Sequence, residues 1–189
     1  MYTVSVEKDA IEQVAKLVSD SRVVAFPTET VFGLGVKFGS YQALEALYDL
    51  KHRDRGKAIS MMISKAEDIE KYAYVSEIAK KIITAFMPGM ITIILKKRPE
   101  IDDYFTASLN TIGIRIPDDP FVLELIRKAG KPLLVPSANI SGRPPAFTSD
   151  EVLAQLEGRI AMVVEGVCGS GKASTILSLC QDEIEVIRQ

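Results

Sequence analysis

The stretch VVAFPTETVFGLG, residues 23–35, gives the clearest indication of fold. Its apolar run 23–26 stops at Pro27, which is typical of a short buried strand. The polar triplet TET follows, and a second strand-like run, interrupted by glycines, begins at Val31. Because glycine lets a backbone approach a ligand closely, this turn is a candidate binding loop. A tight turn that merely joins two strands is the alternative interpretation.

On both sides of this stretch, helical and strand patterns alternate. Apolar residues recur at helical spacing in residues 7–20, and capping side chains begin further helical patterns at Ser40, Ser76 and Thr148. Asp118, Asp119 and Pro120 start another. Besides the runs at residues 23–26 and from residue 31, several further runs are typical of strands. They occupy residues 59–63, 90–95, 111–116, 133–136, 160–164, 175–179 and 184–187. The alternation predicts a sheet packed with helices, of α/β or α+β class, in one domain spanning residues 1–189.

The helix after Ser76 carries a specific packing prediction. Ile78, Ile82, Ile83 and Phe86 recur at helical spacing, so we expect these side chains to face the core. The proline and glycine that follow should end the helix.

Composition and charge limit the classes of protein to consider. The 189 residues are 47% hydrophobic and 25% charged, which is globular and argues against disorder. A net charge of −2 gives no overall attraction for nucleic acid or anionic membranes. The N-terminus lacks the apolar core of a signal peptide, and no apolar window approaches a membrane span. We therefore expect a soluble, cytoplasmic protein.

The two cysteines and the single histidine predict no metal or redox chemistry. Cys168 and Cys180 lie in apolar stretches, where cysteine usually acts as a small buried hydrophobe. His52 has no G-x-S-x-G nucleophile motif to accompany it. No spacing of histidine, cysteine and carboxylate residues predicts a metal held by the protein.

A basic segment, KHRDRGK at residues 51–57, is a candidate phosphate site. Its cations alternate along the chain, so an extended or turn conformation would direct them to one side. Arginine binds two phosphate oxygens at once through its planar guanidinium. The alternative is a solvated helix end that the helix dipole favours.

Two later segments combine polar groups with apolar strands. In TIGIR, residues 111–115, Thr111, Gly113 and Arg115 share one strand face, and a charge there needs a partner. A substrate carboxylate or a structural salt bridge would satisfy Arg115. In PSANISGRPP, residues 136–145, small polar side chains follow a short apolar strand, where α/β sheets usually carry their sites.

The segment GVCGSGKA, residues 166–173, resembles a phosphate-binding P-loop but departs from it. Ala173 stands where the motif needs a serine or threonine to bind Mg²⁺. The residues after it form a strand pattern, whereas a P-loop leads into a helix. We therefore predict a flexible glycine-rich loop that leads to Ser174 and Thr175.

Taken together, these segments resemble the YrdC-like family of threonylcarbamoyl-AMP synthases along essentially the whole chain. The family signature, K-x-R followed by S-x-N, is present as Lys51 and Arg53, then Ser137 and Asn139. The PTET, T-x-x-x-R, PSAN-x-SG and S-T-[IV] motifs and an arginine near the end occur in the family's order. The resemblance is to the short, single-domain form, and it implies a twisted mixed β-sheet flanked by helices around a concave basic cavity.

The resemblance also implies a reaction and its participants. Threonine, bicarbonate and ATP would give threonylcarbamoyl-AMP and pyrophosphate, with Mg²⁺ arriving on the nucleotide and no organic cofactor. Separate tRNA-modifying proteins would use the product. Such a step needs positioning and charge neutralisation rather than an enzyme nucleophile, in agreement with a basic cavity that has no histidine machinery.

Residue roles follow from the same resemblance. The signature tetrad Lys51, Arg53, Ser137 and Asn139 would be catalytic, with Arg53 supporting the phosphates. The residues that would bind ATP are Lys51, Arg55, Thr111, Ser137, Asn139, Pro145 and Arg188. The residues that would bind threonine are Thr28, Ser60, Arg115 on the carboxylate, and Ser174, with Lys57 as a further lining candidate.

Two other functions fit some of these features. A module that binds double-stranded RNA would use a concave basic surface, but a net charge of −2 argues against more than weak RNA contact. A paralogue that acts on another carbamoyl substrate would keep the same signature. Pyrophosphate release with threonine, bicarbonate and ATP distinguishes these alternatives.

Overall fold

The computed structural model describes residues 2–181 and 183–189. Its α-helices are α1 (Ile11–Ser19), α2 (Tyr41–Lys51), α3 (Glu77–Phe86), α4 (Pro120–Ala129) and α5 (Ser149–Leu156). Shorter 3₁₀ helices occupy Lys8–Ala10, Ala66–Lys71 and Asp103–Thr106. The side chains of Ser40, Ser76, Asp119 and Thr148 each accept a hydrogen bond from a backbone N–H in the first turn of α2 to α5. The predicted capping residues Ser40, Ser76 and Thr148 are confirmed, and α4 starts at Pro120 after its predicted pair of aspartates.

The strands form one mixed sheet. They are β1 (Val4–Val6), β2 (Val24–Phe26), β3 (Gly33–Lys37), β4 (Met61–Met62), β5 (Ile91–Lys96), β6 (Thr111–Arg115), β7 (Leu133–Leu134), β8 (Met162–Val164), β9 (Thr175–Ser178) and β10 (Glu185–Arg188). Their order in the sheet is β1-β8-β2-β3-β7-β4-β6-β5-β9-β10. Parallel and antiparallel pairs both occur, for example β4 with β6 and β5 with β6. The predicted mixed sheet flanked by helices is confirmed.

Helices cover both faces of the sheet because the strand side chains alternate in direction. Val24 and Phe26 pack in one buried cluster with residues of α1 and α4. Ala25, between them, belongs to a second cluster that includes residues of α2, α3 and α5. No helix in the described ranges is long and apolar enough to cross a membrane.

Three local expectations differ from the structure. Phe86 is 56% exposed, so its predicted inward orientation is wrong, because it occupies the last turn of α3, beyond the buried Ile83. Strand β1, whose three residues pair with β8 along one edge, was not predicted from the sequence. The segment 51–57 is not extended, because Lys51 ends α2, His52 takes the left-handed conformation that closes the helix, and a turn follows at residues 55–56.

The two glycines of β3 are required by packing. A Cβ atom at Gly35 would lie 2.4 Å from Cε1 of Phe26, and one at Gly33 would lie 2.5 Å from Cγ1 of Val135. Both separations are far inside ordinary contact. Gly35 therefore serves the approach of β3 to Phe26, so its presence after this turn needs no ligand to explain it.

Candidate functional site

A cavity of about 400 Å³ opens against the central strands and gathers most of the predicted site residues. It is lined by the turn after β2, residues before and within β4, strands β5 and β6, the loop after β7, and residues before and within β9 and within β10. The predicted residues in its wall are Thr28, Arg53, Ser60, Arg115, Ser137, Pro145, Ser174 and Arg188. A larger depression of about 590 Å³ beside Tyr74, Lys96 and Cys180 contains none of them.

The cavity wall is basic and rich in hydroxyl groups. Arg53, Arg115 and Arg188 supply three guanidinium groups, and no carboxylate is among the described lining residues. Burial lowers the pKa of Arg188, and the nearby positive charge of Arg115 lowers it further. Like charges gathered in one cavity favour an anionic ligand. No group of three or more potential metal-binding side chains occurs in the part of the chain that the structure describes.

The cations of the segment 51–57 point in different directions. Arg53 lines the cavity, and its Nε and Nη2 donate to the carbonyl oxygens of Lys57 at 3.1 Å and Ala58 at 2.9 Å. Arg55 instead contacts Glu45 and Asp49 of α2, with both N–O distances 2.7 Å. The side chain of Lys57 is outside the lining. The expectation that these cations share one side is therefore wrong.

Lys51 lies beneath the cavity wall instead of lining it. Only 1% of its surface is exposed, and its Nζ donates to the carbonyl oxygens of Ser137 at 2.5 Å and Asn139 at 2.6 Å. Burial lowers the pKa of Lys51 to about 8, and the positive charge of Arg53 contributes. The ammonium thus connects the end of α2 to the loop after β7.

The loop after β7 is closed by the side chain of Asn139. Its Nδ2 donates to the carbonyl oxygens of Ile140 at 2.9 Å and Arg143 at 2.7 Å, and its Oδ1 accepts from Ser137 Oγ at 2.6 Å. Both amide hydrogens are therefore used inside the loop. The structure brings Ser137 to the cavity wall and leaves Asn139 behind it.

Arg115 reaches the cavity from β6 and is the end of a hydrogen-bonded chain. Its Nη1 donates to Thr30 Oγ1 at 2.9 Å, and Thr30 Oγ1 lies 2.8 Å from Thr28 Oγ1. Thr28 Oγ1 in turn donates to the carbonyl oxygen of Val31 at 2.8 Å. Thr111, on the same strand, is half-buried and outside the cavity lining.

Two groups beside these residues were not predicted from the sequence. Glu29 forms a 2.7 Å ion pair with Arg115, and Thr92 of β5 lines the cavity with its Oγ1 2.9 Å from Ser174 Oγ. The TET triplet contained a signal for Glu29, since a carboxylate between two polar residues suits a buried cation. Thr92 gave no comparable signal, because an isolated threonine is common in strands.

The glycine-rich segment 166–173 packs against the turn after β2. Ser170 N donates to the carbonyl oxygen of Glu29 at 3.0 Å, and Cys168 N donates to that of Phe147 at 2.9 Å. The strand β9 begins at Thr175, directly after it. The absence of a P-loop helix at this place is therefore confirmed, and Ala173 and Ser174 form part of the cavity wall.

Comparison with known proteins places this cavity in a described family. The family model Sua5_yciO_yrdC, described as "Telomere recombination", matches residues 16–189. This match covers most of the chain, including every segment of the cavity wall. The chain belongs to the Sua5/YciO/YrdC family.

Individual relatives agree with this membership. The threonylcarbamoyl-AMP synthase of Bacillus subtilis (strain 168) is 40% identical over 180 residues, which are 94% of this chain and 52% of that protein. A putative threonylcarbamoyl-AMP synthase of Methanocaldococcus jannaschii is 38% identical over 183 residues, 96% of this chain and 86% of that protein. The chain therefore spans about half the length of the first relative and most of the second.

A solved structure shares both the fold and part of the sequence of this chain. The crystal structure of P. abyssi Sua5 complexed with L-threonine superposes with a TM-score of 0.91 at 29% sequence identity. The match covers 99% of this chain and 56% of that one.

Proposed function

We propose that this chain is an L-threonylcarbamoyladenylate synthase, a nucleotidyltransferase that makes threonylcarbamoyl-AMP and pyrophosphate from L-threonine, bicarbonate and ATP. The observation that carries the proposal is the cavity in which Arg53, Arg115 and Arg188 face one hydroxyl-lined space, with no carboxylate among the described lining residues. The names of the relatives and the threonine complex of P. abyssi Sua5 support the choice of substrates.

The chemistry suits a wall of cations and hydroxyl groups. The threonine amine and bicarbonate form a carbamate with loss of water, and a carbamate oxygen then attacks the α-phosphorus of ATP. The new O–P bond replaces the bond to pyrophosphate, which leaves with the electron pair. Negative charge develops on phosphate oxygens during this displacement, so positioned guanidinium groups stabilise the transition state. No protein nucleophile is required.

The positions of the predicted residues suggest how the substrates divide the cavity. Arg115 would bind the threonine carboxylate, with Thr28, Ser60 and Ser174 supplying hydroxyl groups nearby. The residues that would contact ATP from the wall are Arg53, Ser137, Pro145 and Arg188.

The remaining predicted residues lie outside the lining and need different roles. Lys51 and Asn139 would act through the loop that presents Ser137, because their polar atoms are bonded to that loop. Predicted contacts of Arg55 and Thr111 with ATP would require a part of the nucleotide that extends beyond the cavity.

The proposed reaction also needs Mg²⁺, and other proteins would use its product. Mg²⁺ prefers oxygen ligands and usually enters nucleotide sites on the phosphates, so we expect it to arrive with ATP. The acyl-adenylate product is reactive, and separate tRNA-modifying proteins would transfer its threonylcarbamoyl group to tRNA.

Pyrophosphate release tests the proposed function. Purified protein should release pyrophosphate with threonine, bicarbonate, ATP and Mg²⁺ together, and release should stop when threonine or bicarbonate is omitted. Release only with another amino acid or carbamoyl compound would identify a paralogue with a different substrate. No release, combined with tight binding of double-stranded RNA, would replace the proposal with the RNA-binding alternative.

A further inference from the structure

Glu29 forms a buried ion pair behind the cavity wall that the resemblance does not assign. Its Oε1 accepts from Arg115 Nη2 at 2.7 Å and from Asp118 N at 2.8 Å. The two side chains of the ion pair are 6% exposed for Arg115 and 16% exposed for Glu29. Its Oε2 is buried and has no hydrogen-bond partner among the described residues. The polar contacts of this carboxylate are thus concentrated on the guanidinium and on the backbone just before α4.

The guanidinium of Arg115 is held on three sides. Nε donates to the carbonyl oxygen of Gly89 at 3.2 Å, Nη1 to Thr30 Oγ1 at 2.9 Å and Nη2 to Glu29. A guanidinium carries five N–H donors, so one donor on each terminal nitrogen has no partner among the described residues. Arg115 also lines the cavity. Two N–H donors left on one guanidinium can serve the two oxygens of a carboxylate.

Glu29 is itself fixed by contacts at both ends. Its carbonyl oxygen accepts from Ser170 N at 3.0 Å, and a Cβ at Gly169 would lie 3.3 Å from the same oxygen. Its carboxylate is anchored to Asp118 N as well as to Arg115. A group anchored in this way is suited to hold the guanidinium plane in one orientation.

We propose that Glu29 is a positioning residue that orients Arg115 so that its two free donors bind the carboxylate of an α-amino acid in the cavity. The inference deepens the proposed function and rests on it for the identity of the ligand. The competing explanation is that Glu29 occupies the guanidinium in place of the ligand. Its second anchor at Asp118 N favours orientation, because a displaceable group would not also hold the segment before α4.

Glu29→Gln isolates the contribution of the charge. Glutamine keeps an oxygen that can accept from Arg115 and Asp118, but its hydrogen bond to the guanidinium is no longer charge-assisted. Glu124→Gln is the matched control, since it removes one carboxylate charge that is paired with Arg127 on the exposed side of α4. Calorimetric titrations would measure the affinities for L-threonine, ATP and L-threoninol. L-threoninol has a hydroxymethyl group in place of the carboxylate.

We expect Glu29→Gln to weaken L-threonine binding by about tenfold, the effect of weakening one charge-assisted hydrogen bond. Binding of L-threoninol and ATP should change by less than about twofold, and Glu124→Gln should match the unmodified protein. Glu29→Asp keeps the charge but is too short to reach both partners, so we expect an intermediate loss. That variant also provides the test if Glu29→Gln does not fold.

The other outcomes overturn the inference in distinct ways. Unchanged or tighter threonine binding in Glu29→Gln would show that Glu29 competes with the ligand or has no effect on it. Equal losses for threonine and threoninol would show a general structural role. Failure of the unmodified protein to bind threonine would overturn the proposed function together with this inference. If the unmodified protein binds threonine and Glu29→Gln binds it equally well, the inference alone is overturned.

Discussion

The guanidinium of Arg188 donates two hydrogen bonds to the carbonyl oxygen of Ser174, from Nε at 3.1 Å and from Nη2 at 2.7 Å. Ser174 Oγ is in turn 2.9 Å from Thr92 Oγ1. Residues of β10 and β5 are thereby joined, through the residue just before β9, along one side of the cavity. Arg188 therefore orders the wall in addition to contributing charge to it.

Replacement of Arg188 by lysine should weaken the binding of both proposed substrates, ATP and threonine. A single ammonium cannot reproduce the fork of two nitrogens on one carbonyl oxygen, so Ser174 should lose its fixed position. We expect ATP and threonine to bind about tenfold more weakly, as for the loss of one strong hydrogen bond. Calorimetry would measure both, with Arg127→Lys on the exposed face of α4 as the control. Loss of ATP binding with unchanged threonine binding would contradict the link through Ser174.

The sequence predicted the fold class because strand and helix periodicities are local properties. The short apolar run of β2 and the capping side chain before α2 each act within a few residues, and both agree with the structure. β1 was missed because three residues that are mostly exposed carry little pattern.

The site was predicted less completely because its contacts are long-range. Lys51 is buried by carbonyl groups 86 and 88 positions later, and Arg115 pairs with Glu29 from 86 positions earlier. The charge alternation in residues 51–57 gave no indication that Arg55 would turn back to Glu45 and Asp49. Motif order predicted which segments meet, whereas the direction of each side chain depended on the assembled sheet.

Gly35→Ala should destabilise the protein by overpacking. The added Cβ would lie 2.4 Å from Cε1 of Phe26, whose side chain is fully buried, so β3 or the ring must move. Overpacking of a dense core costs roughly 1–3 kcal/mol of unfolding free energy. Denaturant unfolding would measure this cost. Gly56→Ala is the control, because its Cβ would meet Asp54 Oδ1 at an ordinary 3.4 Å. Equal stability of the two variants would show that the packing around Phe26 rearranges to accommodate the added Cβ without cost.

Lys51→Met should abolish most product formation with little change in stability. Methionine removes the donors for two carbonyl oxygens, which destabilises, and also removes a buried charge, which stabilises. We expect these effects to offset to within about 1 kcal/mol, and we expect at least about tenfold slower pyrophosphate release from a loosened loop.

Amide hydrogen exchange of residues 137–141 tests whether Lys51 acts through the loop. Exchange in this range should accelerate in Lys51→Met and stay unchanged in Lys81→Met, which alters an exposed lysine of α3. Lost activity with unchanged exchange would indicate that Lys51 contacts the ligand directly. Full activity in the folded variant would remove Lys51 from the site.

The lowered pKa of Lys51 predicts that stability and activity change in opposite directions with pH. Its pKa of about 8 in the folded protein lies below the ordinary 10.5, because burial disfavours the ammonium. Between these pH values the unfolded chain binds more protons than the folded protein, so the contribution of Lys51 to the unfolding free energy rises with pH. The neutral amine holds Ser137 and Asn139 less strongly, so pyrophosphate release should decline as pH rises through about 8.

Comparison with Lys51→Met separates this effect from the titration of other groups. Between pH 7.5 and 9.5, we expect the unfolding free energy of the unmodified protein to rise relative to the variant by on the order of 1–2 kcal/mol. The decline in pyrophosphate release above pH 8 should be absent from the residual activity of the variant. Denaturant unfolding at the two pH values, together with rate profiles across the range, measures both. A constant stability difference would show that burial does not disfavour the Lys51 ammonium, and the predicted activity profile would then lose its physical basis.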